Sequence, residues 1–349
     1  MYDRIRPGKI WLDNNGKRIQ AHGGSLLFVD GLFYWYGENK EGITGTASGE
    51  PCPFWHHGVK LYSSQDLYNW VDEGFVVAES DDIRNPFSPA RIMDRPHILY
   101  NKKTKKYVLY AKTSNQGFGE CVFSVCVGES LKGMRFLHDI KPGPYQAGDF
   151  DLLEKDGKAY LIFENPHSEM ICAELSDDYL SFNGVFSSHI PEECPPYVRE
   201  APAFFEREGK MFLLTSGTTG YFPNPSKTYQ IDSLHGVWKD LGLTCLNDRN
   251  RNSFHAQFSS VFHHPFHPNL YIALGDRWLN DLPEDLPNME EAFYEMFTEK
   301  PIEKKNLYHK NLTDANTSEA NYVWLPIVFD ESGEPHIAYR REWKIEDFS

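Results

Sequence analysis

The chain has 349 residues, of which 40% are hydrophobic and 24% charged, the composition of a soluble globular protein. Fifty acidic against 35 basic residues give a formal net charge of −15 at pH 7. A surface of that sign repels phosphate backbones and anionic lipids, so the composition argues against nucleic acids and membranes as partners and leaves neutral substrates open.

The N-terminal segment carries no apolar core of the kind that signal peptides have, and no stretch approaches the roughly 20 apolar residues that span a bilayer. The six cysteines are scattered, without CxxC pairs or zinc spacing, which favours free thiols in a reducing compartment. We therefore expect a cytoplasmic protein.

An apolar strand, a short polar turn and an aromatic-rich second strand recur five times. The copies begin at Leu26, Ile98, Leu152, Phe204 and Val261. The first aromatic residue of each second strand is Phe33, Tyr107, Tyr160, Phe212 or Tyr271, at spacings of 52 to 74 residues. Asp30-Gly31, Asp156-Gly157 and Glu208-Gly209 are typical hairpin turns. A repeat of this length with several strands per unit predicts an all-β, five-bladed β-propeller, formed as one domain by residues 1–349.

The last repeat is the longest and is expected to contain a helix within residues 287–300 and a terminal hairpin around Ser332-Gly333. An early strand within residues 8–24 is expected to complete the last blade and close the ring. A two-domain β-sandwich protein is the main structural alternative.

Candidate functional residues precede the first apolar run of each repeat. In a propeller the inner strands converge at one end of a central channel, so these segments should face one another. They read AHGG from Ala21, MDRP from Met93, GDFD from Gly148, REAP from Arg199 and FHAQ from Phe254. Three of them contain a carboxylate, which is costly to bury unless it is paired or functional. A single acid of this kind would be interpreted as a hydrogen-bonded residue at the end of a strand. Three acids at matching positions favour a common site.

These segments, taken together, resemble glycoside hydrolase family 43, and more narrowly its exo-β-1,3-galactanase subgroup. The resemblance covers most of the chain. Its residues are AHGGSLLFVDGLFYWYGE from Ala21, DRPHILYNKKTKKYVLY from Asp94, GDFDLLEKDGKAYLIF from Gly148, REAPAFF from Arg199, the glutamine of HAQFSSVF from His255, LGDRW from Leu274 and WLPIVFDESGEPHIAY from Trp324.

The resemblance implies four catalytic roles. Glu200 matches the general acid, and Asp149 matches the aspartate that raises the pKa of that acid and orients it. Gln257 matches the glutamine that positions the attacking water. Asp94 falls where the subgroup has a glutamate, and it would contact substrate or supply negative charge. The place of the usual catalytic base is occupied by His22-Gly23 without a carboxylate, as in the subgroup.

Further candidates for substrate binding lie in the same motifs, except for Tyr221, which lies outside them. They are His22, Trp35, Glu38, Arg95, Arg199, Tyr221, Asp276 and Trp278. For the aromatic residues among them, and for Trp55 and Tyr36, core packing is the alternative to stacking on sugar. No cofactor is expected to be required. A calcium ion in the central channel, near His255, is an additional possibility implied by the resemblance, against a core histidine.

The implied function is that of an inverting, exo-acting glycosidase that releases galactose from β-1,3-linked galacto-oligosaccharides of the arabinogalactan type. An α-L-arabinofuranosidase or β-xylosidase of the same fold is the alternative among enzymes. A non-catalytic carbohydrate-binding propeller is the alternative among binding proteins. The sequence does not indicate an oligomeric state.

Overall fold

The computed structural model describes residues 1–42, 54–115, 119–283, 289–298 and 316–348. The chain folds almost entirely into β-strands, arranged in five antiparallel sheets that carry one parallel pairing. The inner strand of each sheet contacts the inner strands of the sheets on either side, and the first contacts the last. This arrangement is a five-bladed β-propeller, as predicted.

The strands follow one another in chain order through the first four blades. Blade one contains β1 (His22–Val29), β2 (Leu32–Glu38), β3 (Val59–Ser64) and β4 (Val71–Val77). Blade two contains β5 (Arg91–Asn101), β6 (Lys106–Asn115), β7 (Val122–Gly128) and β8 (Arg135–Ile140). Blade three contains β9 (Phe150–Lys155), β10 (Lys158–Asn165), β11 (Glu169–Leu175) and β12 (Phe182–His189). Blade four contains β13 (Arg199–Arg207), β14 (Lys210–Gly217), β15 (Lys227–Ile231) and β16 (Trp238–Leu243). Blade five contains β17 (Cys245–Leu246), β18 (Gln257–His263), β19 (Tyr271–Arg277), β20 (Asn321–Phe329) and β21 (Pro335–Ala338).

The hairpin between the first and second strand of a blade is set by its turn residues. In blades one, three and four both central residues have positive φ: 49° and 85° at Asp30-Gly31, 51° and 78° at Asp156-Gly157, and 51° and 76° at Glu208-Gly209. Two-residue turns with positive φ at both positions match the right-handed twist of the flanking strands. These turns therefore fix the register that places the strand ends at the channel.

The ring is closed by aromatic packing between blades one and five, and the predicted closure by an early strand is wrong. Residues 8–24 contribute an isolated bridge between Leu12 and Arg18, and the outermost strand of blade five is instead β17, parallel to β21. At the closure, Trp35 of blade one lies 4.6 Å from Trp324 of blade five, measured between ring centroids. Backbone hydrogen bonds between Ile5 and Trp343 tie the two chain ends together over this cluster.

The predicted helix and terminal hairpin are both present. Helix α1 (Glu290–Phe297) packs its Phe293 against Phe222 of the connection that follows β14. β20 and β21 pair as an antiparallel hairpin. Two 3₁₀-helices, Thr317–Glu319 and Ile345–Asp347, complete the described elements. None of the helices in the described ranges has the length and apolar character to cross a membrane.

Candidate active site

The inner strands of three blades begin with the same distortion of the backbone. The strand register shifts just after His22, Asp94 and Glu200, and the next residue has positive φ: 59° at Gly23, 54° at Arg95 and 47° at Ala201. Such bulges redirect side chains and are frequent beside active sites. We call the five residues at the channel end of the inner strands the mouth residues: His22, Asp94, Asp149, Glu200 and Gln257.

Each mouth residue lies opposite a residue at the end of the second strand of its blade. The pairs are His22 with Glu38, Asp94 with Lys112, Asp149 with Glu164, Glu200 with Ser216, and Gln257 with Asp276. Because side chains directly opposite each other in antiparallel strands are close neighbours, the second residue sets the surroundings of the first. A side chain at position 23 would be strained, since φ there is 59° and a Cβ would approach Glu38 Oε1 to 2.5 Å.

Asp149 is held ionised by two cations from blade two. Arg95 Nε donates to Asp149 Oδ2 at 3.0 Å, and Lys112 Nζ donates to Asp149 Oδ1 at 2.9 Å. Burial opposes ionisation, but Arg95 and Lys112 outweigh it and lower the pKa of Asp149 well below its usual range. The site thus contains a permanent negative charge at this position.

Glu200 has the opposite character. Desolvation in the site, then the charges of Asp149 and Glu164, raise its pKa well above the ordinary value. Its Oε1 accepts a hydrogen bond from Gln257 Nε2 at 2.9 Å. Glu164 is buried, and burial together with the charge of Asp149 raises its pKa to about 7. Glu200 can therefore carry a proton at neutral pH beside an ionised Asp149.

Asp94 lies among hydrogen-bond donors and cations. Trp55 Nε1 donates to its Oδ1 at 2.7 Å, while Lys112 Nζ lies 3.3 Å from Oδ2 and Lys40 Nζ lies 3.8 Å from Oδ1. Burial raises its pKa, but Lys112 and Lys40 outweigh that effect and lower it. Lys40 also lies 2.8 Å from Glu38 Oε2, and burial raises the pKa of Glu38.

Two aromatic side chains stand beside these acids. The indole of Trp278 lies 5.4 Å from the ring of Tyr221, and its Nε1 donates to Gln257 Oε1 at 3.2 Å. Burial, followed by the charges of Asp94 and Glu38, raises the pKa of Tyr221 well above its usual range. Both rings thus lie beside the mouth residues.

Other predicted substrate contacts lie away from the open part of the site. Trp35 is 2% exposed and belongs to the closure cluster, where it packs against Trp324. Arg199 is buried and hydrogen-bonds Thr215 and the carbonyl oxygen of Pro225. Tyr36 is also buried, and its hydroxyl oxygen accepts from the Ile98 backbone. These placements correct the expectation for Trp35 and Arg199, whose side chains are consumed by packing and by internal hydrogen bonds.

His22 and Asp276 form a buried pair beneath the mouth. His22 Nδ1 lies 2.8 Å from Asp276 Oδ1, and the other carboxylate oxygen accepts from the Gly23 backbone at 2.9 Å. The His22 ring is fully buried and stacks on Tyr322 at 4.9 Å. The pair therefore supports the backbone of blade one at the mouth, and neither side chain has an open face for a sugar.

Four residues of the site escaped the sequence analysis: Lys40, Lys112, Glu164 and Ser216. Lys112, Glu164 and Ser216 occupy equivalent places at the end of the second strand of their blades. The repeat alignment contains that signal, because it fixes the second strands as well as the first. Within the described ranges, no group of three or more His, Cys, Asp or Glu side chains is arranged to hold a metal ion. Calcium near His255 stays a prediction.

Comparison with known proteins identifies relatives of this chain. The sequence model of the family described as glycosyl hydrolases family 43 matches residues 22–254. A solved family 43 β-1,3-galactosidase is 25% identical with a TM-score of 0.79, over 99% of this chain and 65% of that one. A second family 43 β-1,3-galactosidase, solved with galactodeoxynojirimycin, is 27% identical with a TM-score of 0.78, over 98% and 100% of the two chains.

An exo-β-1,3-galactanase from Phanerochaete chrysosporium, solved with galactose, shares the fold at 22% identity and a TM-score of 0.76, over 98% of this chain and 68% of that one. No protein with a curated description matches. The match to the family description covers about two thirds of the chain and includes four of the five blades. The chain belongs to glycosyl hydrolase family 43 and is a glycosidase of oligosaccharides.

Proposed function

We propose that this glycosidase inverts the anomeric centre and removes single galactose units from β-1,3-linked galacto-oligosaccharides. The observation that carries the proposal is the pairing at the mouth of a carboxyl with a raised pKa, Glu200, and a carboxylate with a lowered pKa, Asp94. Glycoside hydrolysis by inversion uses one acid that is protonated and one group that assists a water molecule from the opposite face of the sugar.

In the proposed reaction Glu200 gives its proton to the glycosidic oxygen as the bond from that oxygen to the anomeric carbon breaks. The oxygen of a water molecule bonds to the same carbon from the other face. The proton of that water passes to Asp94, which is partly exposed and ionised, whereas Glu38 and Asp149 are buried against cations. Protonation of the leaving group is worth about 10² to 10⁴ in rate.

Asp149 contributes as the fixed charge that keeps Glu200 protonated. Because Arg95 and Lys112 both contact Asp149, its charge persists at the pH values where Glu200 must retain a proton. Two neighbouring carboxyls whose surroundings drive their pKa values apart are the general pattern of an acid with its supporting charge.

The choice of galactose rests on the two similar β-1,3-galactosidases and on the resemblance to the galactanase subgroup. In this chain Asp94 stands where that subgroup has a glutamate, so the side chain at this place is shorter by one methylene group. Tyr221 and Trp55 supply partly exposed aromatic surface at the mouth, and such rings stack on the apolar faces of sugars.

A panel of aryl glycosides together with β-1,3-galactobiose tests the proposal, with the product anomer followed by NMR. Release of galactose from the galactobiose with an inverted anomeric configuration is the expected result. Cleavage of arabinofuranosides or xylosides alone would assign another sugar. Binding without any cleavage would make the chain a carbohydrate-binding propeller. The cytoplasmic location and the absence of a required cofactor are predictions that this panel leaves aside.

A further inference from the structure

Helix α1 is inserted between β19 and β20 of blade five but is anchored on blade four. Its Phe293 is buried and lies 6.1 Å from Phe222, measured between ring centroids, and Met289 belongs to the same apolar cluster. Phe222 follows the end of β14, where Ser216 pairs with Glu200 of the mouth. The helix therefore lies at the mouth end of blade four, beside the candidate acid.

Two aromatic side chains of the helix extend its contacts toward blade three. Tyr294 and Phe297 are three residues apart, so they lie on the same face of the helix. Tyr294 lies 5.6 Å from Tyr197, and Phe297 lies 5.4 Å from His167, again between ring centroids. Tyr197 belongs to the segment that joins blades three and four, and His167 to the turn between β10 and β11. We call these four residues the aromatic rim.

The aromatic rim is connected to Glu200 through both of these blades. At the start of blade four, Tyr197 precedes Glu200 by three residues along the chain. In blade three, the backbone N–H of His167 donates to Glu164 Oε1 at 3.1 Å, and the charge of Glu164 acts on Glu200. The rim thus borders the mouth on the side from which Glu200 would protonate a substrate.

The aromatic rim keeps part of its ring surface open to solvent. Tyr197 is 44% exposed and Phe297 is 43% exposed, although each contacts another ring. Exposed apolar surface that is grouped, unlike scattered single residues, marks binding sites. A tyrosine ring presents an apolar face that can pack on a sugar and a hydroxyl that can hydrogen-bond to it. The chemistry of the rim therefore suits a sugar ring.

The side of the acid is also the side of the leaving sugar. In the proposed reaction the leaving sugar is bonded to the oxygen that Glu200 protonates. Its ring therefore lies beside Glu200, on the outer side of the sugar whose anomeric carbon reacts. The aromatic rim borders the mouth at that place.

We propose that Tyr197 and Tyr294 form the binding site for the leaving sugar and that helix α1 holds the two rings together there. This inference rests on the proposed function, because it takes Glu200 as the acid. It gives the insertion of blade five a task in substrate recognition. It also divides the mouth, since Asp94 and Trp55 lie in blade two and in the connection that follows β2.

Two substrates with different leaving groups separate this site from the rest of the mouth. β-1,3-Galactobiose releases a sugar ring, whereas β-galactosyl fluoride releases fluoride, which has no ring to stack. The measured quantity is kcat/KM on the galactobiose divided by kcat/KM on the fluoride. Tyr294→Ala should lower this ratio by about fivefold or more, and Tyr197→Ala should do the same. Tyr294→Phe keeps the ring and should retain most of the ratio.

Tyr100→Ala is the matched control for the loss of an exposed tyrosine. Tyr100 is 40% exposed and contacts Tyr107 in the hairpin of blade two, at the end of the strands away from the mouth. Its ratio should equal that of the wild-type protein. Equal losses on both substrates in Tyr294→Ala, or an unchanged ratio, would overturn the inference. Thermal unfolding identifies a variant that has lost the fold, and Tyr197→Ala then decides the question.

A binding measurement without turnover keeps this inference separate from the proposed function. A wild-type protein that cleaves neither substrate would refute the proposed function. In Glu200→Gln mixed with β-1,3-galactobiose, saturation-transfer NMR reports which sugar ring lies against the protein. We expect transfer to the reducing-end ring, and its loss when Tyr294→Ala is added. Absence of transfer to that ring, or transfer that Tyr294→Ala leaves unchanged, would overturn the inference.

Discussion

Glu200 and Asp94 occupy equivalent places in two blades of the same propeller, yet their pKa values move in opposite directions. Both precede the bulge of an inner strand, and both face the common mouth. Glu200 lies opposite the neutral Ser216 on the second strand of its blade, whereas Asp94 lies opposite Lys112. The difference teaches that the charges around each carboxyl, more than its position in the blade, decide which one holds a proton: Lys112 and Lys40 lower the pKa of Asp94, whereas desolvation and the charges of Asp149 and Glu164 raise that of Glu200.

The largest effect is expected from Glu200→Gln, which removes the protonated member of this comparison. The turnover of the galactobiose should fall by about 10² to 10⁴, because the variant loses the mouth residue that protonates the leaving group. Glu206→Gln is the matched control, since it makes the same change near the far end of β13 at an exposed position. Steady-state kinetics of both variants check the prediction, and comparable turnover in the two would remove Glu200 from the mechanism.

Exchanging the cross-strand partner is the sharpest way to break the comparison. Ser216→Lys would give Glu200 the surroundings of Asp94, lower its pKa and deprotonate it at neutral pH. We expect kcat at neutral pH to fall by at least about tenfold and to recover at lower pH, as one unit of pKa is a tenfold change in the protonated fraction. Ser216→Met has a similar length without charge and controls for crowding in this buried place. A loss of the same size and pH dependence in both would refute the electrostatic explanation.

Lys112→Met removes the cation that lies opposite Asp94 in the hairpin of blade two. Lys112 lowers the pKa values of Asp94, Asp149 and Glu200, so all three should rise when its charge is lost. Asp94 then needs a higher pH to ionise, and Glu200 keeps its proton to a higher pH. Both limbs of the pH profile of kcat/KM should move upward by about one unit. Lys112→Arg keeps the charge and should leave the pH profile of kcat/KM nearly unchanged. An unchanged profile in Lys112→Met would contradict this account.

Asp149→Asn should displace both limbs in the opposite direction, since the charge of Asp149 raises the pKa of Asp94 as well as that of Glu200. The charge of Asp149 contributes to the raised pKa of Glu200, so its loss lets Glu200 ionise at lower pH. The unpaired Arg95 and Lys112 would add to that effect. We expect the alkaline limb of kcat/KM to fall by about one pH unit. An alkaline limb that keeps its position would show that the charge of Asp149 does not contribute to the raised pKa of Glu200.

Much of the mouth could be predicted from the sequence because its residues occupy matching positions in the five repeats. Aligning the five hairpins placed Asp94, Glu200 and Gln257 at the starts of inner strands, and the structure brings them to one end of the channel. Lys112 and Ser216 lie on the second strands of the same hairpins but were not predicted, because their importance appears only with the cross-strand register. The charges around each acid depend on the pairing across its hairpin and on contacts between blades, such as those of Arg95 and Lys112 with Asp149.

Other features depended on packing that no local pattern reports. The sheets pack against their neighbours on both faces, so an aromatic residue such as Trp35 is buried whichever face it occupies. Ring closure was mispredicted because the outer strand of blade five is only two residues long and runs parallel to its neighbour. A pair of residues in an extended conformation has no periodicity to detect.

The central claim is that Glu200 is protonated near neutral pH while Asp94 is ionised in an equivalent position. The most direct test is a ¹³C NMR titration of the side-chain carboxyls, with each resonance assigned by its loss in Glu200→Gln and Asp94→Asn. This account predicts a Glu200 carboxyl that titrates well above the ordinary value of 4.5 and an Asp94 carboxyl that titrates below 3.8. A Glu200 carboxyl already ionised at pH 6 would contradict it.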